Sequence, residues 1–182
     1  ENFSQSVNVD EAVPRGLEAS VSVPVAGIAT LSGNYTYTWS EQRSGENKGM
    51  PLTNTPRHMV NASARVNATE RLSGWVRGEY RGSRARRLTR APDPAYDALG
   101  DYKAYTLFHL GGSYEVRPGT TLSATVYNVL DTDFLRYAAY SVEPTAENPA
   151  GVMYTSVYNN HQEGRRLWLS IRTTFPFSGL AR

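Results

Sequence analysis

The chain of 182 residues has no cysteine, which excludes disulfides, thiolate metal sites and cysteine nucleophiles. Histidine is scarce. His58, His109 and His161 lie far apart, without the close pairing that a histidine metal centre needs, so no metal site is assigned. Only two lysines stand against seventeen arginines, and a net charge of +2 is too small to argue for a nucleic-acid partner. Long apolar runs are missing as well: the longest is Tyr137 to Tyr140, so no helix of this sequence can span a bilayer. The opening Glu1-Asn2-Phe3-Ser4 leads into no apolar signal segment. A mean hydropathy of −0.49 suggests, at first sight, a soluble domain.

What is present is alternation. Apolar and polar residues change places with a period of two almost everywhere, and helical spacing is absent. Between Gly16 and Val25 one face carries Leu17, Ala19, Val21, Val23 and Val25, and the other Glu18, Ser20, Ser22 and Pro24. The same pattern fills Ile28–Trp39, Arg57–Asn67, Leu72–Arg84, Tyr102–Val116, Thr120–Leu130 and Arg165–Phe175, and a weaker one covers Phe3–Val9. These eight segments read as antiparallel strands in meander order. Most exceed the roughly five or six residues usual in soluble domains and match the roughly nine to eleven of a strand tilted across a bilayer.

The connections alternate too. Short links at Pro24–Gly27, Ala68–Glu70 and Arg117–Gly119 are interleaved with long polar ones at Ser40–Pro56, Ala85–Asp101 and Asp131–Gly164. All tight turns therefore fall at one rim and all long loops at the other, the asymmetry of outer-membrane barrels with periplasmic turns and extracellular loops. The apolar faces are rich in small residues at mid-strand. Aromatics gather near the ends, with Tyr35, Tyr37 and Trp39 at one rim and Phe175 at the other, which suits girdles at headgroup depth. The expected fold is an all-β, transmembrane, antiparallel up-and-down barrel over residues 1–175, followed by a tail, Pro176 to Arg182.

Four short elements carry a family resemblance. Arg15-Gly16-Leu17-Glu18, following Asn8-Val9-Asp10-Glu11-Ala12, resembles the N-x-x-x-A…R-G-x-E element of TonB-dependent receptors. Pro51-Leu52-Thr53-Asn54-Thr55-Pro56-Arg57-His58 resembles the P-x-x-N-T-P-K/R-H segment that leads into a strand of siderophore receptors. Thr125-Val126-Tyr127-Asn128-Val129-Leu130-Asp131 resembles the V-x-N-L-(F/L)-D strand end of the family, and Gly164-Arg165-Arg166-Leu167-Trp168 its G-R-x-(Y/W) lead into the last strand. The order and spacing agree from near Asn8 to Phe175.

The resemblance implies a bacterial outer-membrane receptor for TonB-dependent uptake of a ferric siderophore, built as a plugged barrel of about 22 strands. Eight strands would be about the C-terminal third of that wall. The N-terminal plug, and through it TonB, would be partners supplied from outside these residues, so the chain alone is not expected to transport. Outer-membrane lipid and lipopolysaccharide would surround it. Two rival readings stay open: a self-contained barrel of eight strands with a structural or adhesive role, and a small outer-membrane enzyme. No G-x-S-x-G, Walker or Rossmann pattern is present, so no catalytic residue and no cofactor is assigned.

Candidate ligand contacts come from one local bias. Arg77, Arg81, Arg84, Arg86, Arg87 and Arg90 climb a strand into a long loop, opposed only by Glu79. Guanidinium groups are permanently charged, planar donors suited to an anionic chelate. Arg77 and Arg81 share a polar face with Trp75 and Glu79. Tyr96 and Tyr102 are placed to stack on a catecholate-type ligand, and His161 is a candidate in the last loop. The same arginines would also suit lipopolysaccharide phosphates, and the tyrosines a girdle.

Overall fold

The computed structural model describes residues 11–53, 55–132, 139–154 and 164–175, with Ala139, Tyr140 and Tyr154 described in backbone only. Seven strands form one antiparallel sheet: β1 (Ala12–Val25), β2 (Ala29–Gln42), β3 (His58–Asn67), β4 (Leu72–Arg81), β5 (Tyr105–Arg117), β6 (Thr120–Tyr127) and β9 (Arg166–Thr173). Their spatial order is β1-β2-β3-β4-β5-β6-β9. A separate ribbon pairs β7 (Ala139–Ser141) with β8 (Val152–Tyr154) inside the last long link. The expected strand at Phe3–Val9 and the tail at 176–182 lie outside the described residues. Among the described residues β1 and β9 each pair on one side only, so the sheet is an open wall with two edges.

Tight turns work as the links predict. Between β1 and β2, Ala26 and Gly27 both adopt positive φ (51° and 71°), the conformation of a two-residue hairpin turn whose twist matches the strands. Every long link joins the opposite ends of the strands. Helical spacing is nevertheless not wholly absent: α1 (Pro94–Leu99) forms within the second long link, where a plain loop over 85–101 was expected. Asp93 caps it by accepting the Tyr96 N–H, and Pro94 begins it with a preset φ.

Register decides what each face meets. Val66, Gly74, Gly112, Ala124 and Leu169 fall in one row across β3, β4, β5, β6 and β9. Val76, Leu110, Val126 and Leu167 form the next. These apolar rows are exposed: Leu17 keeps 62% of its surface, and Leu169 and Ile171 keep 68% each. Among the described residues the only buried apolar side chain is Ala95, in the helix. A sheet that exposes its apolar face and buries no core is inside out for water and right for lipid.

The opposite face is polar and is knit across strands. Ser22 and Ser32 hydroxyls pair at 3.0 Å, Ser73 and Ser113 at 2.8 Å, and the Asn61 amide donates to Asn34 at 2.7 Å. Side-chain satisfaction here comes from neighbours on the same wall, as in a lumen. No helix among the described residues is long and apolar enough to cross a membrane; the strands do the crossing.

Candidate ligand-binding surface

Period two places Trp75, Arg77, Glu79 and Arg81 of β4 on the polar face, as expected, and register brings His109 of β5 directly opposite Arg77. Glu79 sits at the centre. One carboxylate oxygen lies 3.1 Å from Arg77 Nε and 3.6 Å from His109 Nε2, and the other 3.5 Å from Arg81 Nη2. Arg81 also donates to Asn61 Oδ1 at 3.0 Å. His109 is buried and accepts the Asn128 backbone N–H through Nδ1 at 3.2 Å. Asn34, Asn61, Arg77, Glu79 and Arg81, together with Val21 and Ala62, line a shallow concavity of about 470 Å³. Trp75 lies apart from it, with its indole flat over Gly111, whose missing Cβ makes the room.

Where β4 leaves the sheet, the remaining arginines rise into the long-loop rim. Arg84 exchanges backbone hydrogen bonds with Tyr102, 3.0 and 2.9 Å, and its guanidinium lies 5.1 Å from the Tyr102 ring centre and 5.7 Å from that of Tyr105. Arg86 also lies against the Tyr102 ring, 4.1 Å from its centre, while Nε donates to the Gly100 carbonyl at 2.8 Å. Arg87 covers Tyr96 of α1 at 4.1 Å. The structure thus brings Arg84, Arg86 and Tyr102 together and gives Arg87 and Tyr96 a second stack. Ring faces attract guanidinium through their quadrupoles.

Arg90 stands apart. Its Nη2 donates to the Lys48 carbonyl at 2.8 Å and its N–H to Asn47 Oδ1 at 3.0 Å, tying the second long loop to the first. Gln42 adds a bond from its amide to the Leu88 carbonyl at 2.7 Å. The helix holds the third loop: the Ser141 hydroxyl donates to Asp93 and accepts the Ala95 N–H, the latter at 3.0 Å. The three long loops are therefore one connected platform. His161 lies outside the described residues.

Several participants carried no advance signal as site residues. Tyr105 is a girdle-type aromatic by position until Arg84 is seen beside it. Asn61 and Asn34 read as ordinary polar alternation. Asn128, at a positive φ of 48°, clasps the Thr132 backbone through both ends of its amide, at 2.9 and 3.2 Å. Asp131 accepts the Arg165 N–H at 2.9 Å, and chiefly this bond holds its carboxyl below the usual carboxylate range, with the nearby guanidinium assisting. Among the described residues no group of three His, Asp or Glu side chains is placed to hold a metal ion.

A sequence profile described as "TonB dependent receptor-like, beta-barrel" matches residues 1–129. The "Iron-regulated outer membrane virulence protein" of Vibrio cholerae is 33% identical over 93% of this chain. The "Ferric enterobactin receptor" of Pseudomonas aeruginosa is 27% identical over 92% of it. The chain spans 22% of the length of each. A crystal structure of the ferric enterobactin receptor of Pseudomonas aeruginosa superimposes with a TM-score of 0.66 at 26% identity, over 92% of this chain and 23% of that one.

Proposed function

Since the chain belongs to the family of TonB-dependent receptor β-barrels of the outer membrane, we propose that it is part of the wall of a receptor that takes up a ferric siderophore of catecholate type. The rest of the wall, the plug and the contact with TonB belong to the longer protein. Neighbouring strands on both sides also answer the physical difficulty of two open sheet edges in lipid. In this reading the long loops face the outside, the apolar rows face lipid, and the polar face lines the lumen beside the plug. The Pseudomonas aeruginosa relative is named a receptor, and no catalytic step is assigned.

The observation that carries the proposal is the layering of Arg84, Arg86 and Arg87 on the rings of Tyr102, Tyr105 and Tyr96 at the rim. A ferric catecholate is a flat-ringed anion. It needs delocalised cations that are weakly hydrated and aromatic surfaces at the same place. The linked loops hold these groups in position before the ligand arrives, which lowers the ordering cost of binding. Below the rim, the Arg77–Glu79–Arg81 row gives the lumen wall paired charges for the plug and the passing chelate to meet.

The test is intrinsic tryptophan quenching in the intact, detergent-solubilised receptor, together with cellular uptake of labelled ferric iron. Arg84→Ala and Arg87→Ala should each weaken ferric-catecholate binding about tenfold, or roughly 1.4 kcal/mol. Absence of quenching by every catecholate and hydroxamate tried would overturn the uptake reading.

A further inference from the structure

The apolar face has one feature that ligand capture does not explain. At the tight-turn rim Arg117 borders it, beside a bulge between Glu115 and Arg117. Above that, register places no other Asp, Glu, Lys, Arg or His on this face of the sheet until the long-loop end. There Arg15, His58 and Glu41 appear on neighbouring strands. All three belong to the rows of Leu17, Tyr35 and Val60, so they face lipid, not lumen. Charged groups on this side are costly at the bilayer middle and cost little at headgroup depth.

The two basic groups are built into an aromatic surface. Arg15 stands opposite Trp39, with its guanidinium 5.9 Å from the indole centre. His58 stands opposite Tyr37, 5.3 Å between ring centres, and stacks on Tyr35 at 6.1 Å with an interplanar angle of 24°. The Tyr35 hydroxyl lies 2.8 Å from His58 Nδ1, which leaves Nε2 as the nitrogen available to an outside partner. Glu41 lies one pair farther from the apolar rows, opposite Val13. Arg15 and His58 are two strands apart and offset by two residues along them, about 12 Å by strand spacing and rise, and the Trp39 and Tyr37 rings of β2 lie between them.

We infer that Arg15, Trp39, Tyr37, Tyr35 and His58 form a site on the outside of the barrel for a phosphorylated glycolipid headgroup of the surrounding leaflet. Sugar rings lie against the aromatic floor, which offers flat apolar faces. One phosphate meets the Arg15 guanidinium in a charge-assisted pair. A second anionic group meets His58 Nε2. A headgroup with a single phosphate on a glycerol would leave one end of this arrangement unused, so the spacing selects an extended saccharide with anionic groups at both ends. The inference rests on the proposed orientation, with the long loops outside, but not on the identity of the transported chelate.

The test uses the intact receptor, purified in detergent and titrated with a bisphosphorylated, acylated disaccharide lipid while occupancy is read by native mass spectrometry. Wild-type protein should prefer this lipid about tenfold over its dephosphorylated form and over phosphatidylglycerol. Arg15→Gln, His58→Gln and Trp39→Leu should each lower occupancy several-fold. Arg65→Gln, a change of the same size on the polar face, should leave it unchanged and shows that the fold tolerates such a loss of charge. Ferric-chelate quenching, measured on the wild-type, Arg15→Gln and His58→Gln proteins, which keep every tryptophan, should be unaffected, so failure of the uptake reading and failure of this one are separable. Wild-type occupancy in both Arg15→Gln and His58→Gln, or equal affinity for the dephosphorylated lipid, would overturn the site.

Discussion

Asp131 and Arg165, 34 residues apart in the chain, close the root of the last long loop: the Arg165 N–H donates to Asp131 Oδ1 at 2.9 Å, and Arg165 Nη2 lies 3.5 Å from Oδ2. Asp131 holds a positive φ of 52°, so the chain turns sharply as it leaves the sheet. Two sequence elements that seem unrelated, the strand end at Asn128–Asp131 and the lead-in at Gly164–Arg165, are thus the two halves of one clasp.

The clasp has a defined pH behaviour. Because the folded state depresses the Asp131 pKa, chiefly through the Arg165 N–H, its contribution is complete above the ordinary carboxylate value of 3.8. It is lost as pH falls through the lower folded value. Loop-root opening, followed by a fluorescent label in the last loop of the intact receptor, should therefore appear only in strong acid. Arg165→Ala, which keeps this N–H and removes only the assisting guanidinium, should move the opening slightly upward, and Asp131→Asn should remove the acid dependence. A wild-type midpoint at or above 3.8 contradicts this account.

The two faces of β3 should respond oppositely to charge. Ala62 lies in the apolar row between Gly33 and Gly78, so its two cross-strand neighbours carry no side chain. Ala62→Arg should nevertheless cost about 2–4 kcal/mol through desolvation in lipid. Ser63→Arg, on the polar face opposite Ser32 and Arg77, should insert normally. The measurement is reversible denaturant unfolding in liposomes alongside the yield of inserted receptor. Equal tolerance at the two positions would mean that the faces are assigned the wrong way round.

Gly111 should resist even a methyl group. A Cβ there would stand 2.8 Å from three atoms of the Trp75 indole, so the ring must swing away. Gly111→Ala should destabilise by about 1–3 kcal/mol, as overpacking does, and shift the Trp75 emission once Trp39 and Trp168 are replaced by Phe. Gly74→Ala is the contrast: its nearest neighbour would be the Gly111 carbonyl oxygen at 3.7 Å, an ordinary contact. An unchanged emission and unfolding midpoint in Gly111→Ala would count against the stacked indole.

Much of this wall is legible residue by residue. Leu167, Leu169 and Ile171 against Arg166, Trp168 and Ser170 announce a strand with two unlike faces, and Arg77, Glu79 and Arg81 announce a common polar side. These are local inferences, because side chains alternate along any extended backbone. The helix at Pro94–Leu99 was also within reach, through the Asp93-Pro94 pair, yet six residues are too few to display helical spacing. What Arg86 and Arg90 touch was not legible. The first is buried against Gly100 and Tyr102 and the second reaches Lys48, and an arginine in a loop has the same sequence appearance whether it stacks, ties loops together or meets solvent.

The sequence by itself determined the seven strands of the wall, their two faces and the alternation of tight and long connections, since each follows from a period of two and from turn residues a few positions apart. Only the tertiary structure decided that Glu79 sits among Arg77, Arg81 and His109, that Arg15 and His58 flank one aromatic floor, and that Asp131 finds Arg165. Those meetings depend on cross-strand register and loop closure over tens of residues. A shift of one residue in any strand would turn that strand's side chains to the other face.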